Sequence, residues 1–309
     1  MADTQPNTAI ATDAPPGSLI TLDGQIQWAG LLLGPGTPYE IASSGLTGWA
    51  DLPALDSGDV LRPDQHGAWP GTQWAQQRTV SATVWLLPDS AGQADAVIGA
   101  FLAGTGVQQG EQWLAVRLHG RTLACRARVS QRVVPTDRAY ATQGAAKVTL
   151  QWVCADPRRY AVDERVAQTG LPSPEPGLDW APGLDWPLDW GPAGSTGNMT
   201  VVNEGDAPTA PVVEFRGPVT LPSLTRLEDG RRLQYDITLA DSDVLTVDTS
   251  AGTVLLNGTA SRLYTARPDS LPEYLFQLPP GPTSLAFRAA PGPADPRASV
   301  SVTWRDARW

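Results

Sequence analysis

The sequence is poor in the residue types that carry catalysis and metal binding. Only two cysteines and two histidines occur among 309 residues. Two cysteines form no disulfide framework, which fits a protein made in the cytosol, and no zinc-ligand spacing is present. The P-loop and the nucleophile-elbow motif are missing as well. Paired carboxylates leave no linear signature, but no acidic cluster follows the strand ends. We therefore expect no enzyme, no metal and no cofactor.

Long apolar runs are also missing, and positive charge is scarce. No stretch is long enough to span a bilayer, and residues 1–4 lack the basic start of a secretory signal. We expect a soluble protein that is made in the cytosol. A formal net charge of −10 argues against the whole chain binding nucleic acid or an anionic membrane. Between Arg117 and Arg165, however, ten basic residues stand against four acidic ones. An acidic partner, a passage for DNA or a solvated strand face would each account for that stretch.

Glycine and proline are abundant, with 30 and 29 copies, whereas charged residues make up only 17%. This composition is typical of many short strands joined by turns. A chain of 309 residues has room for two cores. We predict a mainly β protein with an N-terminal sandwich or barrel-like domain (residues 1–165) that contains one helix. A linker rich in Pro, Gly and Trp (166–198) and a C-terminal β-sandwich (199–309) follow.

Local patterns predict the elements of the first domain. Residues 17–28 are typical of a hairpin around Asp23-Gly24, and residues 30–71 indicate a long looped region. Strict alternation predicts a strand over 78–87. Apolar residues at helical spacing predict a helix over 94–102, with Ser90 and Gln93 as a capping box and Gly104 as its end.

Three more strands complete the predicted first domain, over residues 112–118, 123–129 and 147–154. Alternation turns Cys125 and Cys154 toward the core, where we interpret them as core thiols. The same alternation turns three basic residues to the outer face: Arg126, Arg128 and Arg132.

The predicted linker repeats the triplet Leu-Asp-Trp three times. Its prolines exclude a regular helix or a central strand. Exposed indoles leave apolar area in water. Trp180, Trp186 and Trp190 are therefore expected to pack on the linker's own domains or on a neighbouring subunit, or to stack on sugar rings. Beyond the linker, short alternating stretches separated by turns predict the C-terminal sandwich.

Three stretches together resemble the distal tail proteins of siphophages. They are WVCADPRRY at 152–160, NEGDAPTAPVVEFRG at 203–217, and FQLPPGPTSLAF at 276–287 followed by VSVTW at 300–304. The resemblance implies an N-terminal ring-forming domain and a C-terminal sandwich of the galectin or carbohydrate-module type. It further implies a homo-oligomeric ring in the virion, hexameric in most members, which joins the tail tube to tail-tip or receptor-binding proteins and leaves a channel for DNA.

The residues suggest where such a ring makes its contacts. We take residues 30–71 and the face of Arg126, Arg128 and Arg132 as candidate contacts between subunits or with partners. A different class of function is open, namely a carbohydrate-binding protein that recognises host-wall glycans through Trp180, Trp186 and Trp190. A third hypothesis is the hub of a contractile or extracellular injection apparatus.

Overall fold

The structure is a computed structural model that describes residues 14–174 and 194–309. The chain divides into two compact units, residues 1–162 with Trp309 and residues 163–308. Both units are built mainly from antiparallel strands, with one long helix in the first. The predicted mainly β fold is therefore confirmed.

Among its described residues, the first unit contains twelve strands, two helices and a 3-10 turn at Ala91–Gln93. The helices are α1 (Ala94–Gly104) and α2 (Arg138–Gln143). The strands are β1 (Ile26–Trp28), β2 (Leu31–Leu33), β3 (Tyr39–Thr47), β4 (Leu55–Ser57), β5 (Val60–Leu61), β6 (Ala68–Trp69), β7 (Gln73–Ala75), β8 (Arg78–Leu86), β9 (Gln112–Leu118), β10 (Arg121–Val133), β11 (Ala146–Cys154) and β12 (Arg159–Ala161).

Strand β10 joins the two halves of the main sheet, whose order is β2-β1-β9-β10-β11-β8-β3. Its first half pairs with β9, and its second half pairs with β11. The core lies on the inner face of this sheet and is closed by α1, whose Phe101 is fully buried. Trp28 packs edge-on against Trp152 there, with ring centroids 6.0 Å apart. The alternation predicted for β8 and β11 and the helix predicted for α1 are confirmed.

The predicted hairpin over residues 17–28 is wrong in its pairing. Strand β1 pairs with β2, across the turn Ala29-Gly30, in which both residues have positive φ. The segment before β1 does not extend as a strand, because buried glutamine side chains take up its amides. Gln25 Oε1 accepts from the backbone N–H of Thr21 and Leu22.

Residues 30–71 are more regular than predicted, since β2, β3 and the strands β4 to β6 fall among them. Strand β3 pairs with β8 through a register shift between Ile41 and Leu46. An irregular register of this kind breaks the period of two that a sequence pattern relies on. The expected capping box at α1 is also not formed, because Ser90 makes no side-chain cap bond and the 3-10 turn comes first.

The second unit is a β-sandwich with 3-10 turns at Leu263–Thr265 and Glu273–Leu275. Its strands are β13 (Arg165–Gly170), β14 (Asn198–Asn203), β15 (Val212–Arg216), β16 (Val219–Thr220), β17 (Ser223–Arg226), β18 (Arg232–Gln234), β19 (Thr238–Leu239), β20 (Val244–Asp248), β21 (Thr253–Leu256), β22 (Ala260–Ser261), β23 (Gly281–Arg288), β24 (Ser299–Trp304) and β25 (Ala307–Arg308). One sheet has the order β13-β24-β15-β20-β21-β22, and the other has the order β14-β23-β17-β18. The ring of Phe215 packs against those of Tyr235 and Phe287 in the core.

The segment predicted as a linker begins and ends within the second unit. Strand β13 pairs with β24 from Arg165 opposite Trp304 to Gly170 opposite Ser299. Ser173 and Ser195 then form a two-way backbone bridge, with N···O distances of 2.8 and 3.1 Å. The described residues on both sides of the Leu-Asp-Trp repeat therefore belong to the second unit.

Candidate assembly surface of the first unit

Two of the three predicted contact arginines lie on the outer face of β10. Arg126 and Arg128 are both exposed. The guanidinium of Arg126 stacks over the indole of Trp113, 4.9 Å from the ring centroid. Within the described part of the chain, the side chain of Arg128 makes no hydrogen bond or ion pair. Both cations are thus displayed toward solvent, and Arg128 keeps its donors available for a partner.

Arg132 does not belong to that face, so the prediction of three arginines on one surface is wrong. A register shift between Val129 and Gln131 inserts an extra residue into β10. Arg132 consequently lies opposite Leu150, whose side chain is fully buried, and it shares the inner face. Its guanidinium donates to Leu102 O at 2.7 Å and to Thr105 Oγ1 at 2.9 Å. Arg132 is therefore an internal contact to the end of α1.

Exposed apolar side chains cluster in the first unit on a two-stranded ribbon, residues 55–75, which we call the exposed ribbon. Strand β4 pairs with β7, and β5 pairs with β6. Every residue of β4 and β5 is exposed. Leu61 is 80% exposed, Trp74 69% and Trp69 52%. A lone two-stranded ribbon is marginally stable in water, and clustered apolar side chains on a surface mark an interaction site.

The exposed ribbon is shaped by close backbone contacts at its middle. A Cβ on Gly71 would lie 2.2 Å from the carbonyl carbon of Gly58, so only glycine fits at position 71. Asp59 fixes the same crossing, because its Oδ1 accepts from the backbone N–H of Gly71 at 2.7 Å. Nearer the tip, the Arg62 guanidinium lies 5.2 Å from the centre of the Trp69 ring. The ribbon therefore has a defined backbone geometry but no hydrophobic core of its own.

Asp156 organises the chain where β11 ends, within the stretch 152–160. Its carboxylate accepts from the backbone and guanidinium of Arg158 and from the hydroxyl of Tyr160. Burial, together with the charge of Asp156, raises the pKa of Tyr160 above its usual value. The Asp-Pro-Arg-Arg-Tyr sequence is therefore a turn-forming network that stops the sheet.

The other residues singled out from the sequence form no reaction centre in the described ranges. His66 and His119 are exposed, and His119 has a positive φ in the turn between β9 and β10. No group of three metal-ligating side chains occurs among residues 14–174 and 194–309. In the same ranges, no helix is long and apolar enough to cross a membrane.

A cleft of the second unit has a volume of about 480 Å³. Pro172, Thr220, Arg288 and Pro293 are among its lining residues, and no described lining residue is aromatic. This cleft therefore offers no described ring on which a sugar could stack. Trp180, Trp186 and Trp190 lie outside the described residues.

Comparison with known proteins places these features in a family context. Residues 204–309 match the family model described as the siphovirus-type tail component, C-terminal domain. No curated protein sequence matches the chain. The fold resembles that of the SPP1 Dit protein (gp 19.1), described as a paradigm of the hub adsorption apparatus in phages that infect Gram-positive bacteria. That match has a TM-score of 0.62 at 14% identity, and it covers 92% of this chain and 98% of the other.

Two structures of the phage p2 baseplate in its activated conformation also match. The one with Ca gives a TM-score of 0.51 at 9% identity and covers 88% of this chain and 93% of the other. The one with Sr gives 0.50 at 9% identity and covers 90% and 96%. The predicted resemblance to siphophage distal tail proteins is confirmed, by the family model for residues 204–309 and by the fold for most of the chain.

Proposed function

We propose that this protein is a structural component of a siphophage tail tip, where copies of it close into a ring. The ring has six members, joins the tail tube to tail-tip or receptor-binding proteins, and leaves a channel for DNA. The tail-component family model and the shared Dit and baseplate fold support the assignment to the virion. Heterologous contacts whose rotation closes produce such a ring.

The exposed ribbon is the observation that carries the ring proposal. It places Leu61, Trp69 and Trp74 in water without covering its own core. Burying this apolar area against a neighbouring subunit is favourable by about 25 cal/mol per Å². A projecting ribbon that docks on a different surface of the next copy forms a head-to-tail contact, which is the type of contact that cyclic rings use. Arg126 and Arg128 supply a basic patch on the outer face of β10 for an acidic surface on a neighbour or partner.

The test is the mass of the assembled particle by light scattering after size exclusion, followed by negative-stain imaging. We expect rings of about six subunits for the wild type. Leu61→Lys and Trp74→Lys are expected to release monomers, because a charge buried at the contact is unfavourable. Val107→Lys is the matched control, since Val107 is 98% exposed in the same unit but outside the ribbon. If both ribbon variants still form rings, the ribbon is not part of the contact between subunits. A wild-type monomer that also fails to assemble with tail-tube protein would contradict the ring.

A second candidate function is binding to host-wall glycans through Trp180, Trp186 and Trp190. The paired Ser173 and Ser195 favour it, because they hold both ends of the Leu-Asp-Trp segment on one unit. Replacing the three tryptophans by alanine should abolish sedimentation with cell-wall polysaccharide and leave the ring unchanged. Equal sedimentation of the triple variant would exclude this function.

A further inference from the structure

The two cysteines of the chain meet in the core of the first unit. Cys125 lies in β10 and Cys154 is the last residue of β11, and both are fully buried. Their sulfur atoms are 3.0 Å apart. A disulfide bond needs about 2.05 Å, so the sulfurs have roughly 1 Å to travel. The two strands diverge at this point, since β10 pairs with β11 only from Arg128 onward.

A buried cation accompanies the two thiols. Arg78 lies directly opposite Cys154 in the pairing of β8 with β11 and is 1% exposed. Its Nε donates to Pro157 O, and its Nη1 donates to the carbonyls of Gly48, Trp49 and Asp51. Its Nη2 is buried without a hydrogen-bond partner in the described part of the chain. No described carboxylate forms an ion pair with this guanidinium, so it is a positive charge without a bonded counter-ion.

The surroundings act on the pKa of the Cys125 thiol in opposite directions. The hydrogen bond with Cys154 and burial raise the pKa of Cys125, whereas the charge of Arg78 opposes that rise. Burial also keeps both sulfurs out of reach of bulky reagents. A small oxidant that enters the core meets the Cys125 thiol beside the guanidinium, whose positive charge favours loss of the thiol proton, with a second sulfur 3.0 Å away.

We propose that Cys125 and Cys154 are a dithiol site that a hydroperoxide oxidises to a disulfide between β10 and β11. One thiolate attacks the peroxide, so that an S–O bond forms, the O–O bond breaks and water or an alcohol leaves. The second thiolate then attacks the resulting sulfenic sulfur, and the S–O bond breaks with loss of water. Two thiols lose two electrons, and one hydroperoxide is reduced. The cross-link clamps the first unit once the particle has left the reducing cytosol.

Purified wild-type protein treated with hydrogen peroxide tests the proposal by intact mass and by non-reducing peptide mapping. We expect a mass lower by two hydrogen atoms, one peptide linked through Cys125 and Cys154, and reversal by a thiol reductant. Cys125→Ser is expected to gain oxygen on Cys154 instead, because no partner captures the sulfenic acid. Cys154→Ala is the reciprocal variant. The result for the wild type can be interpreted even if neither variant folds. Formation of sulfinic acid in the wild type would overturn the site. So would two thiols that stay free in the folded protein under peroxide conditions that oxidise the urea-unfolded chain.

The melting temperature measures separately whether the disulfide cross-link stabilises the first unit. The oxidised wild type should melt roughly 5–10 °C above the reduced form, because the link closes a loop through residues 125–154. The same peroxide treatment should leave the melting temperature of Cys125→Ser unchanged or lower. Equal melting temperatures for the oxidised and reduced wild type would overturn the clamp.

Discussion

The guanidinium of Arg132 donates a hydrogen bond to the carbonyl oxygen of Leu102 across 2.7 Å. Leu102 lies in the last turn of α1, where carbonyl groups lack helical partners and carry partial negative charge. The contact joins the longest strand of the first unit to its longest helix. It also explains why this arginine is withdrawn from the face that carries Arg126 and Arg128.

Arg132→Ala should lower the free energy of unfolding by about 1–3 kcal/mol, because it leaves two partly buried acceptors without their charged donor. Arg128→Ala makes the same change in net charge at an exposed site and should alter stability by less than about 0.5 kcal/mol. Urea denaturation of both variants measures the difference. The reverse pattern would contradict the assignment of Arg132 to the interior.

Arg126→Glu with Arg128→Glu should weaken ring assembly without destabilising the fold.

Gly71→Ala should disrupt the exposed ribbon, because the new Cβ would overlap the backbone of Gly58. The ribbon does not contribute to the core, so we expect loss of ring assembly with a melting temperature changed by only about 1–2 °C. Gly110→Ala is the control, since a Cβ there meets nothing within 4 Å. Light scattering and thermal unfolding together provide the readout. A large loss of stability without loss of assembly would count against the ribbon as an interface.

Arg78→Met should destabilise the first unit by about 3–5 kcal/mol, because four carbonyl groups lose their buried donor. Arg126→Met removes an equal charge from the surface and should cost less than about 1 kcal/mol. Chemical denaturation monitored by tryptophan fluorescence compares the two. If the two variants lose equal stability, Arg78 does not organise its surroundings as described.

Asp229 should make stability depend on acid pH. The hydrogen bond from Arg226 lowers the pKa of Asp229 to about 2. A carboxylate with a depressed pKa stabilises the fold above its unfolded pKa of about 4 and loses that effect as the pH falls toward 2. Asp229→Asn should therefore be less stable than the wild type at pH 7, by about 1 kcal/mol after solvent screening. The difference should shrink between pH 4 and pH 2.

Urea midpoints at several pH values measure this dependence. Asp64→Asn, at an exposed position whose carboxylate makes no hydrogen bond within the described residues, is the control. A deficit of Asp229→Asn that stays constant down to pH 2 would show that the ion pair does not titrate as expected.

Much of the local structure followed from the sequence. Strands β8 and β11 and helix α1 were predicted because alternation and helical spacing are local patterns that a buried face imposes on every residue. The tail-protein resemblance followed from the order of three weak motifs. The position of Arg128 on an outer face was predicted in the same way, since the period of two holds from Cys125 to that residue.

Only tertiary structure decided the features that a local period cannot encode. A single inserted residue near Ser130 reverses the face of Arg132, and nothing in the composition of β10 announces it. Likewise, β1 pairs with β2 and not with the segment before it, because the Gln25 side chain accepts hydrogen bonds from the backbone N–H groups of Thr21 and Leu22. The sequence pattern did not predict the exposed ribbon for a related reason. Its strands bury no face, so their residues show no alternation of apolar and polar side chains. The sequence by itself therefore determined the class and most of the elements, because burial sets their periods. Pairing, register and the surface left uncovered depended on contacts between residues far apart in the chain.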